Sequence, residues 1–213
     1  MDGIENREPF LENSETESSD ALMELAREAG FEAVGATAAS RLSVKPEVRD
    51  MCAADRCRAY DRSWVCPPAC GSLDAFAEAI ASKETALVVQ TVATLEDEFD
   101  IEGMQEAEAL HKRRFAQFAR NACDILGAPL EKGAAFGSTD GRKREEGALL
   151  FLAAGGCTVC PSCPYPDAAC RFPDKAFVSV EAAGLVVSEV CESANIPYYH
   201  GKGTIAYTSC VLR

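Results

Sequence analysis

The chain has 213 residues, 47% of them hydrophobic and 26% charged, which is globular composition with ample material for one large domain or two small ones. Its formal net charge of −13 repels phosphate backbones and anionic headgroups, which excludes nucleic acid and acidic lipid as partners and leaves a basic protein as the compatible one. The longest strongly apolar stretch, Ala148 to Ala154, falls far short of the ~20 residues that cross a bilayer, and Met1 to Asp20 holds seven acidic residues against a lone Arg7, unlike the basic, apolar start of an export signal.

These features point to no membrane association and a cytoplasmic location. Residues 1–19, acidic and rich in Ser and Glu, read as a mobile lead-in, with the remaining residues 20–213 as one cysteine-rich metal-binding domain. Ser19 or Asp20 is a candidate cap for a helix over Ala21 to Ala29, stopped by Gly30, and Phe31 to Ala36 alternates as a short strand. Met51 to Gly71 reads as a loop, followed by a helix from Ser72 or Asp74 to about Lys83. Ala86 to Val92 is the best strand candidate, central in a sheet. A long helix is expected from Ile101 to Leu126, with Met104, Ala107, Phe115, Phe118, Ala122 and Ile125 in one stripe and Gly127 as its stop. Ser138 to Gly147 is polar, with a turn at Asp140-Gly141 beside the basic Arg142 to Arg144. Ala148 to Ala154 reads as a buried strand, Gly155 to Pro173 as a second loop, Lys175 to Ala183 and Val186 to Ala194 as helices, and Thr204 to Leu212 as a terminal strand. Helices interspersed with strands imply an α/β or mixed α+β fold, one compact domain whose central sheet is flanked by helices and two cysteine-rich loops.

Eleven cysteines carry the chemistry. In a reducing compartment such a number signals metal ligation or redox work, and an odd count fits a closed disulfide framework badly. With only His111 and His200 available, a His-rich zinc or copper site is excluded by supply. Cys157-x₂-Cys160-x₂-Cys163, with Cys170 six residues on, has the compact spacing that aims several thiolates at one cluster, as in bacterial ferredoxins. Zinc, the alternative, typically takes two cysteines from each of two loops. Pro161 and Pro164 stiffen this loop and Gly155-Gly156 opens it. The second group, Cys52-x₄-Cys57-x₈-Cys66-x₃-Cys70, is looser and flanked by Tyr60, Trp64 and Pro67-Pro68. Trp64 is either plain core or a lid over a cluster. Cys70 is the open ligand: without it, one iron would keep an exogenous position and act as a Lewis acid.

Cys123, Cys191 and Cys210 stand alone and read as buried structural thiols. The His111 to Arg114 run reads as a solvated helix face, and His200 sits at a turn where a proton donor is conceivable. Arg171 is placed to hydrogen-bond a cluster or pair with an acid. No glycine-rich phosphate loop is present, so no nucleotide site is argued.

Two stretches carry a resemblance. Cys52…Cys57-x₂-Tyr60-x₃-Trp64-Val65-Cys66-Pro67-Pro68 resembles the first motif of a family of predicted metal-binding proteins, domain of unknown function 2284. Gly155-Gly156-Cys157-x₂-Cys160-x₂-Cys163, Cys170 to Pro173, and Ser179-Val180-Glu181-Ala182-x-Gly184 resemble its second. The resemblance runs from about Ala21 to the C-terminus and implies a cysteine-ligated metal site, usually taken as iron–sulfur, without an established reaction. Ala26 to Gly35 also resembles the opening helix and strand of iron–sulfur, corrinoid-dependent reductases such as epoxyqueuosine reductase. The expectation is [4Fe–4S] clusters on Cys52, Cys57, Cys66 and Cys70 and on Cys157, Cys160, Cys163 and Cys170, passing electrons to a redox partner protein. The alternatives are an enzyme using an open iron, with a corrinoid or flavin nearby, and a structural zinc module.

Overall fold

The computed structural model describes residues 9–131 and 147–213, with side chains from Ser18 onward. The first eight residues of the acidic lead-in and the Asp140-Gly141 turn with its basic neighbours lie outside the described residues. Helix α1 spans Pro9–Glu28, so Ser19 and Asp20 lie within it rather than capping it. Strand β1 (Ala33–Ala38) follows, two residues later than the alternation suggests. Helix α2 (Pro46–Ala53) replaces the start of the expected first loop, with Pro46 at its first turn, where its fixed φ and missing N–H cost nothing. Helix α3 (Leu73–Ala81) is capped by Ser72, whose hydroxyl accepts the N–H of Ala75 at 3.2 Å.

Strand β2 (Thr85–Thr94) leads to helix α4 (Ile101–Leu126), which is capped by the Asp100 carboxylate on the N–H of Gly103 at 2.8 Å and stopped by Gly127 at φ 59°. Strand β3 (Leu150–Ala153) is followed by β4 (Val178–Ser179), helix α5 (Val187–Ser193) and strand β5 (Thr204–Leu212). The expected helix over Lys175 to Ala183 does not form. Val178 and Val180 are buried, and pairing of Leu152 with Val178 takes the segment into the sheet, a tertiary contact overriding weak helix propensity.

The five strands form one open sheet in the order β1-β2-β5-β3-β4, antiparallel except for β3 beside β4. The α/β reading is correct, and Ala86 to Val92 does lie in the sheet interior, between β1 and β5. Alternation along the strands sorts side chains onto two faces. Leu87, Val89, Phe151 and Val211 meet α1 and α4 through Leu22, Leu25, Phe115 and Phe118. Val88, Leu152, Cys210 and Leu212 meet the opposite layer, in which Phe76 and Ile80 of α3, Val190 of α5 and the buried Cys66 and Cys70 pack together. The metal loop residues therefore share one face of the sheet with the main apolar cluster. Among the described residues no helix is long and apolar enough to cross a membrane.

In the α4 stripe, His111 takes a core position between Ala107 and Phe115, and Ile125 is 58% exposed. The solvated-face reading of the His111 run is thus corrected. His111 is fully buried, its ring nitrogens 3.0 Å from Thr91 Oγ1 and 2.7 Å from Ser209 Oγ on the sheet. Burial, helped by Arg114 and Lys112, drops its pKa to about 3, so the ring is neutral. Arg114 bridges to Glu32 at 2.9 Å.

Candidate metal centres

The first group begins on α2 and ends at the start of α3. Cys52 occupies the last turn of α2, not a loop. The chain then winds through three non-glycine residues in the left-handed region, Asp55, Arg58 and Asp61, at φ 50°, 57° and 53°. Aspartate tolerates this conformation through local hydrogen bonds; Arg58 is held there by its surroundings. The Asp55 carboxylate accepts the N–H of Tyr60 at 3.0 Å and the Arg62 guanidinium at 3.1 Å, fixing the turn. The chain re-enters the core at Val65 and Cys66, and the N–H of Cys70 donates to the carbonyl of Cys66 at 3.1 Å.

Cys70 is fully buried and Cys66 is 9% exposed. The guanidinium of Arg49, one turn before Cys52, reaches across this group. Its Nη2 donates to Cys70 Sγ at 3.4 Å and to the Gly71 carbonyl at 3.0 Å, and its Nε donates to the Ala182 carbonyl at 2.7 Å. Its carbon lies 5.9 Å from the Phe76 ring centroid, a cation–π contact. Burial pushes the Cys66 thiol up to about 12, and the thiolates of Cys70, Cys57 and Cys52 add to the rise. Burial also takes Cys70 up to about 11, against the pull of Arg49. Cys52 is half-buried and Cys57 exposed, so the group runs from core to surface; its buried thiols, Cys66 and Cys70, gain from a cation that displaces their protons.

The second group lies on the β3–β4 connection. Cys157, Cys160, Cys163 and Cys170 line one cavity of about 210 Å³. The wall opposite them comes from the first loop, through Arg58, Trp64 and Val65. The Trp64 indole N–H donates to the Ala168 carbonyl at 2.9 Å, and its ring meets Tyr165 edge-on at 4.9 Å. Tyr165 in turn donates its hydroxyl to Asp61 at 2.6 Å. Trp64 is therefore neither plain core nor loose cover but the strut that joins the two cysteine loops. Arg171 donates to the Ser162 carbonyl at 3.0 Å, closing the loop on itself. Lys112 of α4 holds its start through the Gly156 carbonyl at 2.7 Å.

Ionisation differs here. Burial disfavours the Cys163 thiolate, but N–H groups of Tyr165 and Trp64, the Ser63 hydroxyl and Arg171 outweigh it and lower its pKa. Cys157 is raised by burial, with an opposing N–H from Val159 and a further rise from Cys170, Cys160 and Cys163. Among the described residues no group of three or more His, Cys, Asp or Glu side chains is placed to hold a metal ion as it stands. Cys157, Cys160, Cys163 and Cys170 share one cavity, Cys66 and Cys70 share the core, and Trp64 ties the two loops together; thiolates are what iron–sulfur clusters and structural zinc take.

Cys191 and Cys210 are fully buried in the same apolar cluster as Cys66 and Cys70. Cys191 lies 3.3 Å from the Gln90 amide nitrogen, and Cys210 is pushed up to about 12 by burial, with Cys191 and Glu181 adding to it. Cys123 is half-buried at the edge of the other cluster. His200 Nε2 is 2.9 Å from Gln90 Oε1, inside the protein's own hydrogen-bond network. Sequence reasoning missed Arg49; its signal was a basic residue three positions before Cys52, one helical turn away on a segment that Pro46 marks as a helix start.

No curated protein and no solved structure matches the chain. A family of predicted metal-binding proteins, domain of unknown function 2284, does match, over residues 36–140 and 138–213. That span takes in both cysteine groups, Arg49, Trp64 and every strand but the start of β1, and the chain belongs to that family.

Proposed function

We propose that the protein is an iron–sulfur electron carrier with two [4Fe–4S] clusters, one on Cys52, Cys57, Cys66 and Cys70 and one on Cys157, Cys160, Cys163 and Cys170. The observation that carries this reading is the cavity of about 210 Å³ lined by all four cysteines of the second group and walled by the first loop. Compact C-x₂-C-x₂-C spacing suits a cluster rather than one ion. The first loop's share in the wall of this cavity, through Arg58, Trp64 and Val65, supports a relay between neighbouring centres.

Cys70 is read as the fourth ligand of the first cluster. It is buried, faces the Arg49 guanidinium, and its thiolate acts on Cys66. A fully ligated first centre favours electron transfer over chemistry at an open iron. Exposed cysteines in both groups, Cys57 and Cys157, support an approach by a redox partner protein. When bound, the clusters supply one-electron chemistry; the chain holds the thiolates, excludes water with Trp64 and Tyr165, and neutralises charge with Arg49 and Arg171.

Reductive titration of anaerobically purified protein tests this. The expected result is broad absorbance near ~400 nm that bleaches reversibly with about two electrons per chain. A colourless protein holding stoichiometric zinc, silent to dithionite, would overturn it in favour of the zinc module.

A further inference from the structure

A second cavity, of about 300 Å³, lies between α4, the end of β3 and the Gly155 to Val159 segment. Its volume is at the lower end of small-molecule sites. Phe115, Ala116, Ala153 and Phe177 make its walls apolar, while Arg113 and Lys175 also line it. Cys157 and Val159 line both this cavity and the four-cysteine one, so the two cavities share a wall. In a chain of net charge −13, two cations on one apolar pocket are a local reversal of sign. Apolar walls select a hydrocarbon body, and the cations select a negative group on it.

We propose that this cavity binds a small, flat apolar molecule carrying one carboxylate, seated against the Cys157 side of the second metal centre. The proposal goes beyond electron transfer, and it rests on that reading only for what the bound molecule would face. Volume limits the ligand to one or two rings. Lys112 is tied to Glu108 and the Gly156 carbonyl, so it shapes the pocket edge; Arg113 meets the carboxylate, and Lys175 joins it by leaving the Phe172 ring, 5.6 Å from its Nζ.

Titration calorimetry with 2-naphthoate, and with 2-naphthamide as its neutral counterpart, tests the proposal on full-length protein whose iron content is measured in the same batch. The expected result is one site per chain with a Kd below about 1 mM for 2-naphthoate and about tenfold weaker binding of the amide. Ala116→Trp, which fills the cavity, should abolish binding without changing the visible spectrum. Lys175→Gln should bring the acid down toward the amide, and it carries the test where Ala116→Trp disturbs the fold. No saturable binding, equal binding of acid and amide, or unchanged affinity in a folded Ala116→Trp protein would overturn the proposal. Binding of 2-naphthoate by protein that contains zinc and no iron would support the pocket while overturning the electron-carrier reading.

Discussion

The two cysteine groups sit on one face of one sheet and are built in opposite ways. The first has half its cysteines in the core: Cys66 and Cys70 pack with Phe76, Ile80 and Leu152, and burial pushes both thiols up, to about 12 and about 11, while Cys52 is half-buried and Cys57 exposed. The second lies on an outer loop, with Cys157 exposed and Cys163 lowered by hydrogen bonds and Arg171 against the effect of burial. Core thiols that resist ionisation couple metal binding to folding, because the cation is what makes their burial favourable. In the loop group Cys163 is already inclined to ionise although burial raises Cys157, and metal binding there does not call on the core. On the electron-carrier proposal, the first centre would also help to hold the core together.

The sharpest break of that comparison is a pair of substitutions. Cys70→Ser should lose the first centre's iron and cost more than about 4 kcal/mol, because a buried metal site is lost. Cys160→Ser should lose the second centre's iron and cost about 1 kcal/mol or less, being a loop change outside the core. Denaturant unfolding with iron analysis reads both; equal losses of stability would erase the distinction.

Arg49 tunes only the first centre in this account. Arg49→Met removes hydrogen bonds to Cys70, Gly71 and Ala182, at about 2 kcal/mol of stability, by the usual worth of charged hydrogen bonds. It should also lower the first cluster's potential by about 60 mV, the one-electron equivalent of a tenfold change. A redox titration in which the other cluster moves instead would place the guanidinium's influence wrongly.

Trp64→Leu acts on the contact between the groups. It removes the bond to the Ala168 carbonyl and the edge-on contact with Tyr165, about 1–2 kcal/mol together. Iron should leave the second centre faster under a chelator, with the first unaffected. The rate of chelator bleaching, compared with wild type, checks it.

An effect of a different kind, independent of metal, lies on the sheet's other face, which holds His111 between Thr91 and Ser209. Its folded pKa of about 3 is below the ordinary value of 6.5, so the folded state binds fewer protons than the unfolded. Stability from the neutral ring is complete above pH 6.5 and is lost as pH falls toward 3. His111→Asn should therefore lose less stability than wild type between these pH values, measured by urea midpoints.

Much of this was legible from residue pattern. Most of the α4 stripe, its Gly127 stop, the β-forming run of β2 and the C-x₂-C-x₂-C loop follow local rules that the chain obeys. What was not legible is long-range. Val178 and Val180 look helical among alanines until β3 claims them. His111 looks like the start of a basic surface run until Thr91 and Ser209, from two different strands, bracket its ring. The strut from Trp64 to Ala168 joins residues 104 positions apart, and no spacing rule reaches that far. Even α2 was recoverable, since Pro46 is a helix-start signal that the cysteine pattern overshadowed.

The most direct test of two cysteine-held clusters is the iron and acid-labile sulfide content of anaerobically purified protein. Four-cysteine ligation at both groups requires about eight irons and about eight sulfides per chain. Stoichiometric zinc without sulfide would contradict the account, as would about four irons that survive Cys160→Ser unchanged.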